Sequence, residues 1–191
     1  MCGIAGYFNP DQNYAENPKQ NFHTLSRMIN TMNHRGPDTY GHTIINSCCL
    51  AHTRLSIIDL ENGRQPMSYT KDGNTYYIVY NGEIYNYKEV KKTLLRKNYT
   101  FETNSDTEVI IAAFCHYGPG FVKELNGIFA IAIYDSMRNT LSLYRDRFGV
   151  KPLYYTKTGD TLVFASRIDT LFEYPRVRPC IDMNSFNEIF S

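Results

Sequence analysis

Residues 128–145 read IFAIAIYDSMRNTLSLYR, and this stretch decides the fold class. Ile128–Asp135 is a continuous apolar run, and a second run follows at Thr140–Arg145. Short runs rich in β-branched and aromatic residues are typical of buried strands. The connection through Asp135–Asn139 is too short for a crossover, so we expect an antiparallel hairpin.

Strands of this kind recur along the 191 residues. A second tight turn, at Lys157–Asp160, indicates another hairpin. The further predicted strands are Gly3–Phe8, Thr43–Leu50, Arg54–Asp59, Tyr76–Tyr80, Leu153–Thr156 and Leu162–Ser166. Apolar residues at helical spacing predict two helices. In the first helix these residues are Phe22, Leu25, Met28, Ile29 and Met32, and in the second they are Tyr87, Val90, Leu94 and Leu95. Many antiparallel strands with few helices predict an α+β domain of two stacked sheets flanked by helices.

A third helix is predicted after residue 104. Ser105-Asp106-Thr107-Glu108 has the pattern of a capping box, in which the N-cap side chain and the acidic side chain at N3 each bond the other residue's backbone N–H. With Ser105 as N-cap and Glu108 at N3, the helix is expected to continue through Val109–Tyr117.

The C-terminal part of the chain has a less regular pattern. We expect a helix near Leu171-Phe172, a loop that contains two prolines, and the start of another helix at Asp182–Ser191. We predict one domain over residues 1–191, with the segment from about 180 to 191 as the start of a linker or of a further domain.

The composition narrows the class of function. The 20 basic and 19 acidic residues nearly balance, and neither half carries a basic block, so we expect no nucleic acid and no membrane as partner. No run approaches the ~18 apolar residues that cross a bilayer, and the polar Asn9-Pro10-Asp11 argues against a secretory signal. We therefore expect a cytoplasmic protein that binds a small molecule or another protein.

The cysteines and histidines indicate no metal site. Five Cys at irregular spacing make neither a disulfide framework nor a zinc pattern, and the five His show no metal-ligand spacing. A reducing cytoplasm would keep a reactive thiol free. We assign Cys48, Cys49, Cys115 and Cys180 to the core rather than to redox chemistry or metal binding.

Cys2 is the sharpest local feature, because it stands between Met1 and Gly3. A small second residue is the context in which an initiator Met is trimmed, which would make Cys2 the N-terminus. An α-amino group has a pKa of about 7.7–8.0, so it could accept the thiol proton directly or through one water. N-terminal nucleophiles are activated in this way. Taken alone the signal is weak, because a Cys at position 2 usually has no catalytic role.

Asn81-Gly82 directly follows an apolar strand and has two interpretations. An Asn-Gly pair at a strand end is usually a turn. Alternatively, the Asn81 side-chain NH₂ and the Gly82 backbone N–H converge on one oxygen and form an oxyanion hole. The pair alone does not decide between the two.

Arg54 and Asp106 are each open to two interpretations as well. A lone Arg beside a strand is usually solvated, but at a pocket mouth its guanidinium can clamp a carboxylate bidentately. An acid in the first turn of a helix complements the helix dipole, but it can also hold an ammonium group. Together the two side chains would bind both charges of a free amino acid.

Two further motifs remain undecided. Arg35-Gly36-Pro37-Asp38 is a turn sequence, for which a structural role and a role as a loop over a pocket are about equally supported. Lys151 and the arginines near it suggest phosphate binding, although a polar hairpin face is the interpretation that we favour.

Eight motifs that occur in one order carry a resemblance over nearly the whole chain. They are Cys2–Gly6, Arg35–Asp38, His52–Asp59, Gln65–Met67, Asn81–Tyr87, Ser105–Glu108, Leu125–Ala130 and Arg145–Tyr155. The set resembles the N-terminal glutaminase domain of glutamine-hydrolysing asparagine synthetases, which are class II glutamine amidotransferases. Purine-pathway and glucosamine-phosphate relatives usually lack the Glu-Ile-Tyr that follows Asn81-Gly82 here. Arg167 departs from the pattern, because the family usually has Glu at this position, and this puts the domain interface in doubt.

The resemblance implies an N-terminal-nucleophile hydrolase fold, with two antiparallel sheets between helix layers (αββα). It implies Cys2 as the nucleophile, and Asn81 and Gly82 as the oxyanion donors. The glutamine contacts that it implies are Arg54, Leu55, Ser56, Ile57, Ile58, Asn81, Gly82, Glu83 and Asp106.

The activity that the resemblance implies is hydrolysis of L-glutamine to glutamate and ammonia through a Cys2 γ-glutamyl thioester, with no cofactor or metal in this domain. The ammonia would pass, in cis or in trans, to a synthetase domain that converts aspartate to asparagine. ATP and Mg are expected only in that domain, because residues 1–191 contain no Ser-Gly-Gly-x-Asp-Ser loop or other phosphate cradle. The alternatives are a stand-alone subunit that serves another acceptor and a catalytically inactive glutamine-binding module. A homodimer is also left open.

Overall fold

The computed structural model of the chain describes residues 2–55 and 63–180, and it contains two antiparallel sheets. The first sheet is built from β1 (Gly3–Phe8), β2 (Thr39–Ile45), β3 (Cys48–Arg54), β8 (Tyr154–Thr158) and β9 (Thr161–Ala165), in the spatial order β2-β3-β1-β9-β8. The second sheet is built from β4 (Met67–Lys71), β5 (Asn74–Ile84), β6 (Gly127–Asp135) and β7 (Thr140–Arg145), in sequence order. All strand pairs within these sheets are antiparallel.

Helices cover the outer face of each sheet. The first sheet packs against α1 (Pro18–Met32) and the short α4 (Ile168–Leu171), and the second sheet packs against α2 (Tyr87–Leu95) and α3 (Asp106–Tyr117). Two 3₁₀ helices, Tyr14–Glu16 and Gly118–Glu124, complete the elements of the described residues. None of the helices in this part of the chain is long and apolar enough to span a membrane.

A third layer of core lies between the two sheets. Ile4 and Leu50 of the first sheet share this layer with Val79 and Ala132 of the second sheet, and all four side chains are fully buried. Burial of apolar side chains on both faces of both sheets is the main stabilising contribution of this architecture. The predicted α+β class with an αββα layer order is therefore confirmed.

Several predicted strands agree closely with the structure, and one is wrong. Gly3–Phe8 and Thr140–Arg145 are strands with the predicted bounds. The segment Thr43–Leu50 is divided between β2 and β3, because Asn46 adopts a φ of 28° and reverses the chain. Asn tolerates this left-handed region better than most residues. The apolar residues on both sides of Asn46 concealed the turn.

Other predicted elements need smaller corrections. The strand at Met67–Lys71 was not predicted, and β5 extends well beyond the predicted Tyr76–Tyr80. The predicted strand Arg54–Asp59 lies largely outside the described residues, as does the predicted helix Asp182–Ser191. Phe22 and Leu95, which belonged to the apolar faces of the first two helices, are about half exposed.

The start of α3 is as predicted, but the capping box is not. Ser105 Oγ accepts from the Thr107 N–H at 3.2 Å, as an N-cap should. The Glu108 carboxylate instead accepts from the N–H groups of Glu102 and Thr103, at 2.8 and 2.7 Å. The loop before the helix folds over its first turn, so these donors take the place of the Ser105 N–H.

The cysteines divide into two groups. Cys48 and Cys49 are fully buried, and Cys115 is partly buried against the core of the second sheet, as expected. Cys180 is exposed, so its assignment to the core is wrong. Within residues 2–55 and 63–180, no group of three His, Cys, Asp or Glu side chains could hold a metal ion.

Candidate active site

The candidate active site lies at one end of the gap between the two sheets. Alternate residues of a strand face the same side, so Cys2 continues the face of Ile4, and Arg54 continues the face of Leu50. On the facing sheet, Asn81 follows Val79 in the same way. Three polar side chains are thereby carried just past the last apolar layer, at the same end of the sandwich.

These side chains line a cavity of about 190 Å³. The predicted site residues on its wall are Cys2, Arg54, Leu55, Asn81, Gly82, Glu83 and Asp106. The predicted contacts Ser56, Ile57 and Ile58 lie outside the described residues. Residues 2–106 therefore supply a thiol, a guanidinium, an amide and two carboxylates to one cavity.

Cys2 is partly buried and is held from two sides. Its thiol donates to the Leu55 carbonyl, with the sulfur 3.8 Å from the oxygen, and its own carbonyl accepts from Arg35 Nε at 3.2 Å. Arg35-Gly36-Pro37-Asp38 contacts Cys2 through Arg35, and none of its four residues lines the cavity.

Asn81-Gly82 is part of a strand rather than a turn. Both residues lie within β5, where Asn81 pairs with Ala130 and Gly82 with Phe129. A Cβ on Gly82 would lie 2.2 Å from the Ile128 carbonyl oxygen, so this close approach requires glycine. The interpretation of the pair as a turn is therefore wrong.

The side-chain amide of Asn81 has an unsatisfied hydrogen-bond donor within the described residues. The side chain is only 2% exposed, and its Nδ2 has no hydrogen-bond partner within the described part of the chain. A buried donor without a partner costs about 1–3 kcal/mol. A ligand oxygen in the cavity would remove that cost.

Asp106 is the first residue of α3, and its carboxylate is fixed in place. Its Oδ2 accepts from the Tyr80 hydroxyl at 2.8 Å and from the Ile84 N–H at 3.3 Å. Burial raises the pKa of the Asp106 carboxyl, and these hydrogen bonds oppose the rise. A cation bound beside it would favour the ionised form.

Arg54 ends β3 and is backed closely by the Arg35–Asp38 segment. Its carbonyl accepts from the Asp38 N–H at 3.1 Å, and Pro37 forms a parallel bridge with it. A Cβ on Gly36 would lie 2.5 Å from the Arg54 backbone nitrogen. This packing holds the buried Arg54 side chain at the cavity.

The cavity wall also contains residues that were not predicted as site residues from the sequence. They are His52, Gly63, Gln65, Tyr80, Ser105, Thr107 and Lys151. Gln65 connects two elements, because its Oε1 accepts from the Tyr80 N–H at 2.6 Å and its Nε2 donates to Thr107 Oγ1 at 3.3 Å. Five of them, which are His52, Gln65, Ser105, Thr107 and Lys151, lie within the eight motifs, and His52 also alternates with Arg54 on one strand.

Lys151 lies at the cavity, so its assignment to a polar hairpin face is wrong. A compact loop places it there. Asp146 accepts from the backbone N–H groups of Phe148, Val150 and Lys151 at 2.9–3.2 Å. Burial alone would raise the pKa of the Asp146 carboxyl, but these donors lower it overall.

The fold and the cavity define a class of protein. Two stacked antiparallel sheets between helix layers, with a cysteine directly before the first strand and on the cavity wall, are the N-terminal-nucleophile hydrolase fold. A solved structure of glutamine phosphoribosylpyrophosphate amidotransferase from Bacillus subtilis matches with a TM-score of 0.65 and 19% identity. The match covers 88% of this chain and 42% of that one, and it concerns the fold alone.

The chain belongs to the glutamine amidotransferase domain family, whose model matches residues 1–191. It is 40% identical to asparagine synthetase [glutamine-hydrolyzing] 3 of Bacillus subtilis over 190 residues, which are 100% of this chain and 30% of that protein. It is also 40% identical to asparagine synthetase B of Escherichia coli, with 85% of this chain and 28% of that protein covered. Amidase chyE of Penicillium rubens is 36% identical, with 91% and 26% covered. The chain thus spans less than a third of the length of these relatives.

Proposed function

We propose that this domain hydrolyses L-glutamine to L-glutamate and ammonia, with Cys2 as the nucleophile. The observation that carries the proposal is that the Cys2 thiol, the Asn81 amide, the Arg54 guanidinium and the Asp106 carboxylate line one cavity. Among the described residues, Asn81 Nδ2 has no hydrogen-bond partner. Each of the four groups matches one part of glutamine: the γ-carbon, the γ-oxygen, the α-carboxylate and the α-ammonium.

Recognition uses groups that do not change during the reaction. Arg54 would hold the α-carboxylate through its planar fork of N–H donors. Asp106 would hold the α-ammonium, and Glu83 and the segment from Leu55 to Ile58 would contact the rest of the substrate. Because burial raises the pKa of Asp106, the substrate cation would add to the hydrogen bonds that stabilise its ionised form.

The first chemical step forms a thioester. The Cys2 α-amine, free once Met1 is removed, takes the thiol proton while sulfur forms a bond to the γ-carbon. The γ-oxygen becomes an oxyanion that accepts from Asn81 Nδ2 and the Gly82 N–H. When the oxyanion collapses, the carbon–nitrogen bond breaks, and the Cys2 ammonium gives its proton to the departing nitrogen. Ammonia leaves, and a γ-glutamyl thioester remains.

The second step regenerates the enzyme. The Cys2 amine takes a proton from water as the water oxygen attacks the thioester carbon, and the same two donors stabilise the new oxyanion. The carbon–sulfur bond then breaks, and the sulfur receives the proton back. The products are glutamate and the free thiol.

The ammonia would serve a synthetase domain outside residues 1–191, in cis or in trans, that uses ATP and Mg to convert aspartate to asparagine. The names of the relatives from Bacillus subtilis and Escherichia coli support this acceptor. The relative called amidase chyE supports the alternative of another acceptor. A catalytically inactive glutamine-binding module is the second alternative, and an assay for glutamate release distinguishes it directly.

Kinetics of three variants test the proposed roles. Arg54→Ala and Asp106→Asn should raise the KM for glutamine about 10- to 100-fold, because each removes a hydrogen bond to a charged group that is present throughout the reaction. Asn81→Ala should instead lower kcat about 10²- to 10³-fold, because the charge it stabilises appears only in the transition state.

The matched control is Arg27→Ala, which removes an exposed guanidinium that pairs with Glu173 at 2.7 Å, away from the cavity. Its kinetic constants should stay at wild-type values. A change in KM alone for Asn81→Ala would show that the oxyanion role is wrong, and unchanged constants for Arg54→Ala would do the same for the carboxylate clamp.

Gly36→Ala should raise the KM for glutamine about tenfold while the protein stays folded. The added methyl group must displace the backbone of β3 at Arg54, because the nearest atoms are main-chain atoms at 2.5 Å. Gly120→Ala is the control, since a Cβ there has nothing within 4 Å. Glutamate release over a range of glutamine concentrations measures both. Equal constants for the two variants would contradict the packing argument.

A further inference from the structure

His52 is a buried side chain on the cavity wall to which the mechanism above assigns no role. It lies on β3 opposite Ile4, one step deeper between the sheets than Cys2 and Arg54. It is 1% exposed, and it lines the same cavity as Cys2 and Asn81.

The imidazole of His52 is neutral. Its pKa is lowered to about 4, chiefly by burial and in smaller part by the nearby Arg54, while an interaction with the Tyr80 backbone partly opposes this. A neutral imidazole has one N–H and one acceptor nitrogen. Nε2 is buried on the cavity wall and has no hydrogen-bond partner within the described residues. In the tautomer that carries its N–H at Nδ1, Nε2 is an acceptor with an unused lone pair.

Three other acceptors on the cavity wall already take part in hydrogen bonds within the domain. The Leu55 carbonyl accepts from the Cys2 thiol, Gln65 Oε1 accepts from the Tyr80 N–H, and Asp106 Oδ2 accepts from Tyr80 and Ile84. The donors at Asn81 and Gly82 suit the γ-oxygen of a carboxamide. Its NH₂ group still needs an acceptor, and an unpartnered acceptor stands on the same wall.

We propose that His52 Nε2 accepts an N–H of the substrate's γ-carboxamide, and that this contact selects glutamine over glutamate and over γ-esters of glutamate. The inference rests on the proposed glutaminase function. A γ-carboxylate or a γ-ester brings only lone pairs to this nitrogen, so the buried acceptor stays unpaired. Sites with a buried polar group of this kind discriminate strongly against analogues that lack the matching group.

The test compares two substrates that share the acyl group. L-Glutamine has γ-N–H donors, whereas L-glutamate γ-methyl ester has none. We expect His52→Phe to lower kcat/KM for glutamine about 10- to 100-fold and to change kcat/KM for the ester by less than about threefold. The Ki of glutamate should also move towards the KM of glutamine. His52→Gln, which keeps an acceptor oxygen, should restore most of the preference for the amide.

Cys49→Ala is the control, because Cys49 lies on the opposite face of β3 and is fully buried. If His52→Phe lowers kcat/KM equally for glutamine and for the ester, the inference is overturned and His52 is a structural residue. If His52→Phe does not fold, His52→Gln decides: a retained amide preference supports the contact, and a lost preference overturns it. If the wild type hydrolyses neither substrate, the proposed function itself fails.

Discussion

Cys2→Ala should release no measurable glutamate from glutamine while the fold is retained. Removal of the sulfur eliminates the atom that forms the thioester, and the remaining oxyanion donors have no covalent intermediate to stabilise. We expect activity far below one hundredth of the wild type, because removal of a catalytic nucleophile can lower kcat by about 10⁶-fold. Circular dichroism and thermal unfolding check the fold, and a coupled glutamate assay measures the rate.

Cys115→Ala is the matched control, and its activity should equal that of the wild type. Burial raises the pKa of the Cys115 thiol to about 12 and that of Cys49 to about 12, so neither supplies a thiolate near neutral pH. An electrophilic glutamine analogue should accordingly label Cys2 alone, as read by peptide mass spectrometry. Labelling at Cys115 or Cys180 would count against the assignment, as would residual glutaminase activity in Cys2→Ala.

A protein that keeps Met1 should be inactive as a glutaminase. In that form the Cys2 nitrogen is an amide, which can neither accept the thiol proton nor return it to the departing ammonia. We expect the trimmed form to exceed the Met1 form by at least the 10²- to 10⁴-fold that a general acid and base contribute.

Two ubiquitin fusions provide matched preparations. Cleavage of one leaves Cys2 at the N-terminus, and cleavage of the other leaves Met1 in front of it; intact mass confirms each. Treatment of the Met1 form with a methionine aminopeptidase should restore activity in proportion to the trimmed fraction. Full glutaminase activity in a uniformly Met1-blocked sample would falsify the role of the amine as the base.

Some parts of the fold have a local origin. β1, β7 and the hairpin from residue 128 to 145 follow from apolar runs and a short turn. The start of α3 follows from Ser105, whose side chain caps the helix. These features depend on residues within a few positions of each other, so their patterns are visible along the chain.

Prediction of the site residues required more than the local sequence pattern. Cys2, Asn81, Arg54 and Asp106 were proposed because eight motifs occur in order, and each motif alone had an ordinary structural explanation. Asn81-Gly82 is the clearest case, because its local sequence favours a turn and its pairing with β6 makes it strand. A ladder of long-range hydrogen bonds outweighed the local preference there.

The sequence by itself thus determined the antiparallel α+β class, the positions of most elements and the chemical types of the candidate site residues. The tertiary structure alone decided which side chains share the cavity. The β1–β3 register and the stacking of β5 bring Cys2, His52 and Asn81 together from positions far apart in the chain. The structure also revealed that one nitrogen each of His52 and Asn81 has no hydrogen-bond partner in the part of the chain that it describes, since this depends on the positions of neighbours distant in sequence. Register and packing are collective properties of distant segments, whereas periodicity and capping belong to neighbours in sequence.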